Sequence, residues 1–335
     1  MVQAVELLVN IKKGKIHPVY ILTGDESFYI DLISDYFEKE FLSEEEKGFN
    51  QTVLYGKEAV PSQVVEAARR FPMMAEKQVI VLKEARHISS FAEFESYFKQ
   101  PTPSTVLVIC LKDKKLDKRT SAYKAAKENK DVLIFETKKL YDNQLPEWIS
   151  TYAKTQGFSI TPKASMMISE HIGNDLARIA GEIQKLKINL KEGSQIDDSV
   201  VDQYIGISKE YNVFELTNAL NNQDHARAQK IAFYFGQNPK LHPFILTLGA
   251  LYGNFSKLLA IHYLQDKHPS HVAKALKVNP YFAKDYVAAS KRYSPKKLVQ
   301  IISNLREFDL KSKGVGNADT SESDLLKELI FKIVH

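Results

Sequence analysis

The segment Gln78-Val79-Ile80-Val81-Leu82-Lys83 contains four apolar residues in succession between polar ends. It lacks the alternation of polar and apolar positions that marks a strand with one solvent-exposed face. A strand that is buried on both faces is typical of a parallel sheet covered by helices on its two sides. We therefore predict an α/β domain around this segment.

Similar apolar runs occur before and after this segment. They are Val19–Thr23, Thr52–Tyr55, Thr105–Leu111 and Asp131–Phe135. Between the runs, apolar residues have helical spacing, as at Phe28, Leu32 and Ile33. Because alternating strands and helices are typical of a parallel sheet, residues 1–140 predict an α/β domain with a five-stranded parallel sheet.

After residue 140 the strand patterns nearly disappear, and helical signals dominate. Thr161-Pro162 has the form of a helix start, and Gly173-Asn174 interrupts the pattern before the next helix. In the last segment, apolar residues recur at helical spacing from Leu325 to Ile333. The predicted domains are the α/β domain at 1–140, a small helical domain at 141–208 and a larger helical domain at 209–335.

The composition is that of a folded globular protein, because 44% of the 335 residues are hydrophobic and 26% are charged. A chain of this length divides into two or three domains. The net charge of +5 comes from 46 basic and 41 acidic residues. This small excess permits contact with nucleic acid but does not require it.

The single cysteine, Cys110, excludes an internal disulfide and fits a reducing compartment. Its position within an apolar run predicts a buried structural thiol rather than a nucleophile. The N-terminus lacks the basic segment and cleavage site of a secretory signal. Apolar runs such as Val106–Leu111 are far shorter than the roughly 20 residues of a spanning helix. We therefore expect a cytoplasmic protein without a membrane partner.

The turn Gly24–Asp31 follows the first strand, where a nucleotide-binding sheet carries its phosphate loop. A working loop has a glycine, four residues, and then glycine, lysine and a hydroxyl residue. The last three positions here are Tyr29, Ile30 and Asp31. Tyrosine obstructs the approach of phosphate to the backbone, and the charge of the lysine is missing. We therefore expect no nucleotide cofactor.

The end of the strand at Lys83 gives an independent test of catalysis. Nucleotide hydrolases carry an aspartate for magnesium at this position, and the charge of a lysine would repel the cation instead. Glu84 fits a surface residue, and the pair His268 and His271 fits a loop because no further ligand stands at metal-binding spacing. We predict no metal and no catalytic residues, although an enzyme with an unusual site stays open.

Four segments, by their order and spacing, resemble the delta subunit family of the bacterial DNA polymerase III clamp loader. They are His17–Phe28, Phe71–Leu82, Gly173–Leu176 with Glu182–Leu186, and Asn212–Leu220. The resemblance implies an AAA-type domain at 1–140, a helical lid at 141–208 and, at 209–335, a helical collar that joins a pentameric ring. It also implies that the chain binds and opens the sliding clamp in DNA replication while other subunits hydrolyse ATP. The implied partners are the clamp, the other loader subunits and primer-template DNA, in the nucleoid of a bacterial cell.

The chain departs from the active ATPase relatives of this family at two positions. Leu176 stands where those relatives carry an arginine that reaches the nucleotide. Val108-Ile109 precedes Cys110 where those relatives have serine and arginine before the cysteine. Both departures agree with a subunit that does not hydrolyse ATP.

The candidate clamp-binding residues are Phe71, Met73 and Met74. A helix that begins near Ser62 must end near Pro72, because proline disfavours helical geometry at the residue before it. The methionines then lie on a turn before the strand, where two adjacent apolar side chains are hard to bury together. Methionine suits a pocket on a partner, and the resemblance implies a clamp contact here, although the family often has leucine and phenylalanine at these positions. The alternative is that both methionines fill the core.

One dense basic cluster follows the fourth strand and is a candidate DNA-binding site. Its members are Lys112, Lys114, Lys115, Lys118 and Arg119. The competing interpretation is a solvated surface. If the cluster were the main functional surface, the chain would instead be a nucleotide-independent DNA-binding regulatory protein.

Overall fold

The computed structural model describes residues 2–317 and 319–335. The chain forms two compact units, Met1–Leu140 and Tyr141–His335. The further division that the sequence predicts at residue 208 stays a prediction.

The first unit is a five-stranded sheet with helices on both faces. Its strands are β1 (Val19–Gly24), β2 (Gln51–Tyr55), β3 (Gln78–Lys83), β4 (Thr105–Lys112) and β5 (Val132–Thr137). Its helices are α1 (Val2–Lys12), α2 (Ser27–Lys39), α3 (Glu44–Asn50), α4 (Pro61–Ala68), α5 (Glu95–Lys99) and α6 (Ser121–Glu128), with 3-10 turns at Ala85–His87 and Ala92–Phe94. The strand order is β2-β3-β4-β1-β5, and every pair is parallel. The predicted fold class is confirmed.

The apolar strands have two buried faces, as their sequence predicts. In β3, Val79 and Val81 belong to one core cluster, and Ile80 and Leu82 belong to the other, on the opposite face of the sheet. Cys110 lies in the first cluster, and burial raises the pKa of its thiol to about 12. A thiol with that pKa is inert at neutral pH, so Cys110 is a packing residue.

The second unit is helical apart from a short parallel ladder. Its helices are α7 (Leu145–Thr155), α8 (Pro162–Ile172), α9 (Leu176–Asn189), α10 (Asp198–Val200), α11 (Val213–Asn221), α12 (His225–Gln237), α13 (Phe244–His262), α14 (Pro269–Leu276), α15 (Pro280–Ser290), α16 (Pro295–Ser312) and α17 (Glu322–Val334). A 3-10 turn at Asp142–Gln144 precedes α7, and a π-helical turn at Val201–Ile205 follows α10. The ladder pairs β6 (Ser159–Ile160) with β7 (Gln195–Ile196).

Side-chain caps determine where several of these helices begin. Thr161 accepts a hydrogen bond from the backbone N–H of Ala164, and Ser294 and Ser321 cap α16 and α17 in the same way. The prediction of a loop at His268–His271 is wrong. Pro269 holds the first helical position, and the side chain of His268 accepts from the N–H of Ser270, so α14 begins there.

Helix α13 lies in the core of the second unit. Leu248, Leu251, Phe255 and Leu258 on its buried face pack in the cluster that also contains the apolar face of α17. Of the helices that the structure describes, α13 alone has the length and the mean hydropathy, 1.5, of a membrane-spanning segment. Central helices of soluble proteins have the same properties, so this resemblance is weak evidence for a membrane span.

Candidate functional site

The segment between α4 and β3, residues 69–77, exposes three large apolar side chains. The exposed fractions are 81% for Phe71, 60% for Met73 and 103% for Met74. Neither methionine is in the core, so the alternative interpretation of these two residues is wrong. Exposed apolar side chains that cluster on one short segment indicate a surface for a partner. We call residues 69–77 the apolar loop.

The apolar loop begins earlier than the sequence predicts, because α4 ends at Ala68 rather than near Pro72. The carbonyl oxygen of Ala68 accepts hydrogen bonds from Thr105 Oγ1 at 2.8 Å and Tyr97 Oη at 3.2 Å. A continuing helix could not supply a donor to this carbonyl, because the residue four positions later is Pro72, which has no N–H. The two side chains supply the hydrogen bonds instead. The consequence is that Phe71 lies outside the helix and faces solvent.

Two polar side chains, one from the end of α3 and one from the start of β3, hold the backbone of the apolar loop. The buried side chain of Asn50 donates from Nδ2 to the carbonyl of Met73 at 2.8 Å and accepts at Oδ1 from the N–H of Met73 at 2.6 Å. Gln78 donates from Nε2 to the carbonyl of Arg70 at 2.6 Å. Met74 then adopts a left-handed φ of +53°. The backbone is thus fixed while the apolar side chains stay in solvent.

Sequence reasoning missed Asn50 and Gln78. Both are polar residues beside strand starts, and no local pattern distinguishes them from surface residues. A signal appears only in three dimensions, where Asn50 is paired in both directions with the backbone of Met73, 23 residues away.

The five residues of the basic cluster lie at the end of β4 and in the segment that follows. Most of their charges are paired within the chain. The ion pairs are Lys112–Asp31 at 2.5 Å, Lys115–Asp25 at 3.3 Å, Lys118–Glu136 at 3.7 Å and Arg119–Asp117 at 2.8 Å. The hydrogen bonds of Arg119 lower the pKa of the Asp117 carboxyl to about 2, and Lys114 Nζ donates to the carbonyl of Arg86 at 3.3 Å. These partners reduce the charge available to phosphate.

The turn after β1 is filled by the chain's own atoms. Gly24 has a φ of +123°, and a Cβ atom there would lie 2.1 Å from the carbonyl oxygen of Thr137. At the N-terminus of α2, where a phosphate would bind, the Glu26 side chain accepts a hydrogen bond from the N–H of Phe28 at 3.2 Å. A carboxylate at this point disfavours a second anion. Ile30, at the position of the lysine of a phosphate loop, is buried in the core.

Lys83, at the position where nucleotide hydrolases carry the aspartate for magnesium, is paired within the chain. Lys83 Nζ lies 2.6 Å from Glu38 Oε2 in a partly buried ion pair. Glu84, which follows, is exposed and has a left-handed φ of +50°. Among residues 2–317 and 319–335, no three His, Cys, Asp or Glu side chains group as metal ligands do.

The second unit contains a cleft of about 1030 Å³. Its lining includes Glu170, Lys257 and Tyr286. Burial raises the pKa of the Glu170 carboxyl to about 7 and lowers that of the Lys257 amine. The cleft has titratable groups with altered pKa values, but nothing in its geometry assigns it a reaction.

Comparisons with known proteins identify the family from both ends of the chain. Residues 20–137 match the family model described as DNA polymerase III, delta subunit. Residues 210–329 match the model of the C-terminal domain of the same subunit. Together the two matches cover most of the chain.

A curated relative and a solved structure agree with these matches. The chain is 27% identical over 334 residues to DNA polymerase III subunit delta of Bacillus subtilis, with 96% of this chain and 94% of that protein covered. The structure of the Bacillus subtilis DNA clamp loader delta protein aligns with a TM-score of 0.56 and 25% identity over 99% of both chains. The chain belongs to the family of DNA polymerase III delta subunits, and its role lies in DNA replication.

Proposed function

We propose that this chain is the clamp-loader subunit that binds the sliding clamp and opens it, without hydrolysing ATP itself. The observation that carries the proposal is the apolar loop, which presents Phe71, Met73 and Met74 to solvent from a fixed backbone. A flexible thioether next to an aromatic ring suits a hydrophobic pocket on a partner. The other proposed partners are the remaining loader subunits, through residues 209–335, and primer-template DNA, in the bacterial cytoplasm.

The size of the apolar loop suits the energy that opening requires. Binding opens a closed ring only if the open form is bound more tightly than the closed form. Converting an equilibrium from 1:99 to 99:1 takes about 5.5 kcal/mol of differential affinity. Full burial of three large apolar side chains stabilises a complex by about 5–9 kcal/mol before the costs of association. If these contacts form completely only with the open clamp, the difference in affinity between the two forms is large enough for a shift of this size.

Opening is testable with a sliding clamp that carries a self-quenching fluorophore pair across one subunit interface. We expect the purified chain, without ATP, to bind the clamp and to relieve the quenching. Binding without relief of quenching would contradict the opening role, and absence of binding would contradict the proposal as a whole.

We expect no saturable heat when ATP and magnesium are titrated into the chain in a calorimeter. The reason is that Glu26 occupies the N-terminus of α2 and Lys83 is paired with Glu38. An active clamp-loader ATPase, titrated in the same buffer, is the control. Saturable binding at micromolar ATP would contradict this prediction.

Replacing Asn50 by alanine should lower clamp affinity about tenfold, because the apolar loop loses its fixed position. It should also lower the free energy of unfolding of the first unit by about 1–3 kcal/mol, since the partly buried N–H and carbonyl of Met73 lose their side-chain partner. Titration with the clamp and urea unfolding measure the two effects.

The matched control for Asn50 is Asn129, whose side chain also bonds to backbone carbonyls, those of Phe98 and Lys99. It precedes β5, at the opposite edge of the sheet from β2. N129A should lose stability while keeping clamp affinity. Equal losses of affinity in both variants would refute a positioning role for Asn50.

The alternative function, a DNA-binding regulatory protein, has less support. Four of the five side chains in its proposed surface pair with carboxylates of the same unit. A DNA contact by the cluster stays a prediction. If it is correct, removing three of the charges lowers the salt slope of DNA binding by about 0.9 for each lost phosphate contact.

A further inference from the structure

Phe49, the penultimate residue of α3, exposes 74% of its surface, and Asn50 is the buried residue of this short helix. It directly precedes Asn50, the residue whose side chain holds the backbone of Met73 in both directions. An exposed phenylalanine is unremarkable alone. Because Phe49 lies next to the residue that holds the apolar loop, it is a candidate contact for the partner of that loop.

Phe49 and the apolar loop lie before the N-terminal ends of two neighbouring strands, β2 and β3. Gln51, the first residue of β2, pairs with Val79 of β3, so α3 and the apolar loop lead into neighbouring parallel strands. Neighbouring strands lie about 4.8 Å apart. The end of α3 and the apolar loop are joined there by the hydrogen bonds between Asn50 and the backbone of Met73, and each of the two segments carries exposed apolar side chains.

Helix α3 is held in place, so the position of Phe49 is defined before any partner binds. At its start, Ser43 and Glu46 form a reciprocal capping box. Lys47 Nζ donates to the carbonyl of Lys39 at 2.8 Å, and Asn50 anchors its end. A preorganised backbone lowers the conformational entropy that is lost on binding, which favours a role in recognition.

We propose that Phe49 is a second contact for the sliding clamp, so that the clamp-binding surface spans α3 as well as the apolar loop. This inference rests on the proposed function and extends it to a residue outside the loop. The partner surface that fits is an apolar area of the clamp beside the pocket that takes the methionines. Because β2 is an edge strand of the sheet, a partner reaches α3 without displacing another strand.

The first test compares the clamp affinities of F49A, F233A and M73A/M74A in the full-length chain. Phe233 is the matched control because it is 56% exposed on α12 in the other unit. We expect F49A to weaken binding about 5- to 30-fold, the range of a contributing hot-spot residue, mainly through faster dissociation. F233A should bind as the unmodified chain does, and the thermal midpoint of F49A should not change.

A second test does not depend on truncation. Cys110 is the only cysteine and is buried, so a polarity-sensitive dye attached to F49C labels one site. Adding saturating clamp should shift the emission of this dye to shorter wavelength. The same dye on F233C should not respond.

The outcomes separate the two proposals. Loss of affinity in M73A/M74A, with F49A unchanged and the dye at position 49 unresponsive, overturns the role of Phe49 and leaves the proposed function standing. Unchanged affinity in M73A/M74A removes the apolar loop as the clamp-binding site, whereas absence of clamp binding by the unmodified chain overturns the proposed function itself. Weakened binding by F49A together with a dye response supports the extended surface.

Discussion

Replacement of both Met73 and Met74 by alanine should reduce affinity for the sliding clamp by about 30-fold to several thousand-fold. Each methionine that enters an apolar pocket contributes roughly 1.5–3 kcal/mol. Alanine retains part of that burial, so the expected loss is about 2–5 kcal/mol, which corresponds to the stated change in Kd. Titration of labelled clamp with the variant measures the loss.

The same variant should unfold at nearly the same temperature as the unmodified chain. Met73 and Met74 are exposed by 60% and 103%, so their truncation leaves no cavity in the first unit. Met167, which is 1% exposed in α8, is the control. M167A should destabilise the second unit by about 2–5 kcal/mol while keeping clamp affinity. Preserved clamp affinity in M73A/M74A would remove the apolar loop as the binding site.

The strands could be predicted from the sequence because each depends on a local property. The continuous apolar runs at β1, β3 and β4 require two buried faces wherever they occur, and the helices that cover them follow in sequence. The helix start at Thr161 was equally local, since a cap and its N–H partner lie within one turn.

The details of the candidate site could not be predicted because they depend on residues far apart in the chain. Pro72, four residues after Ala68, has no N–H for its carbonyl, and the partner that this carbonyl finds is Thr105, 37 residues away. Helix α4 therefore ends earlier than the rule for the residue before proline predicts. The ion pairs of the basic cluster could not be predicted because the partners Asp25, Asp31 and Glu136 belong to the turn after β1, to α2 and to β5. The adjacency of the methionines on a turn favoured exposure but left open that both fill the core, and their exposed fractions of 60% and 103% decide the point.

A network of ion pairs in the second unit connects residues from its two predicted helical domains. Glu215 of α11 has a side chain that is only 4% exposed. Its carboxylate lies 3.0 Å from Lys163 Nζ and 2.5 Å from Arg227 Nη2. Lys163 also pairs with Asp198 at 3.1 Å. The side chains of Lys163 and Arg227 are partly exposed to water, whereas the buried carboxylate of Glu215 depends on these two cations for its stabilisation.

Removing both cations should therefore destabilise the second unit more than removing the carboxylate. In K163M/R227M the aliphatic stems are retained, but Glu215 becomes a buried charge without its cationic partners, which costs about 3–5 kcal/mol. In E215Q, Lys163 keeps Asp198, and Arg227 is accessible to water, so the loss should be smaller, about 1–2 kcal/mol. Urea unfolding followed by circular dichroism measures both variants.

Clamp binding provides a second measurement for the same pair of variants. The apolar loop belongs to the first unit, so K163M/R227M should keep clamp affinity at a temperature where the second unit is still folded. Co-elution with the other loader subunits should instead fail at a lower urea concentration than for the unmodified chain, because residues 209–335 are the proposed collar. An E215Q loss that equals or exceeds the loss in K163M/R227M would show that the buried carboxylate does not depend on these two cations.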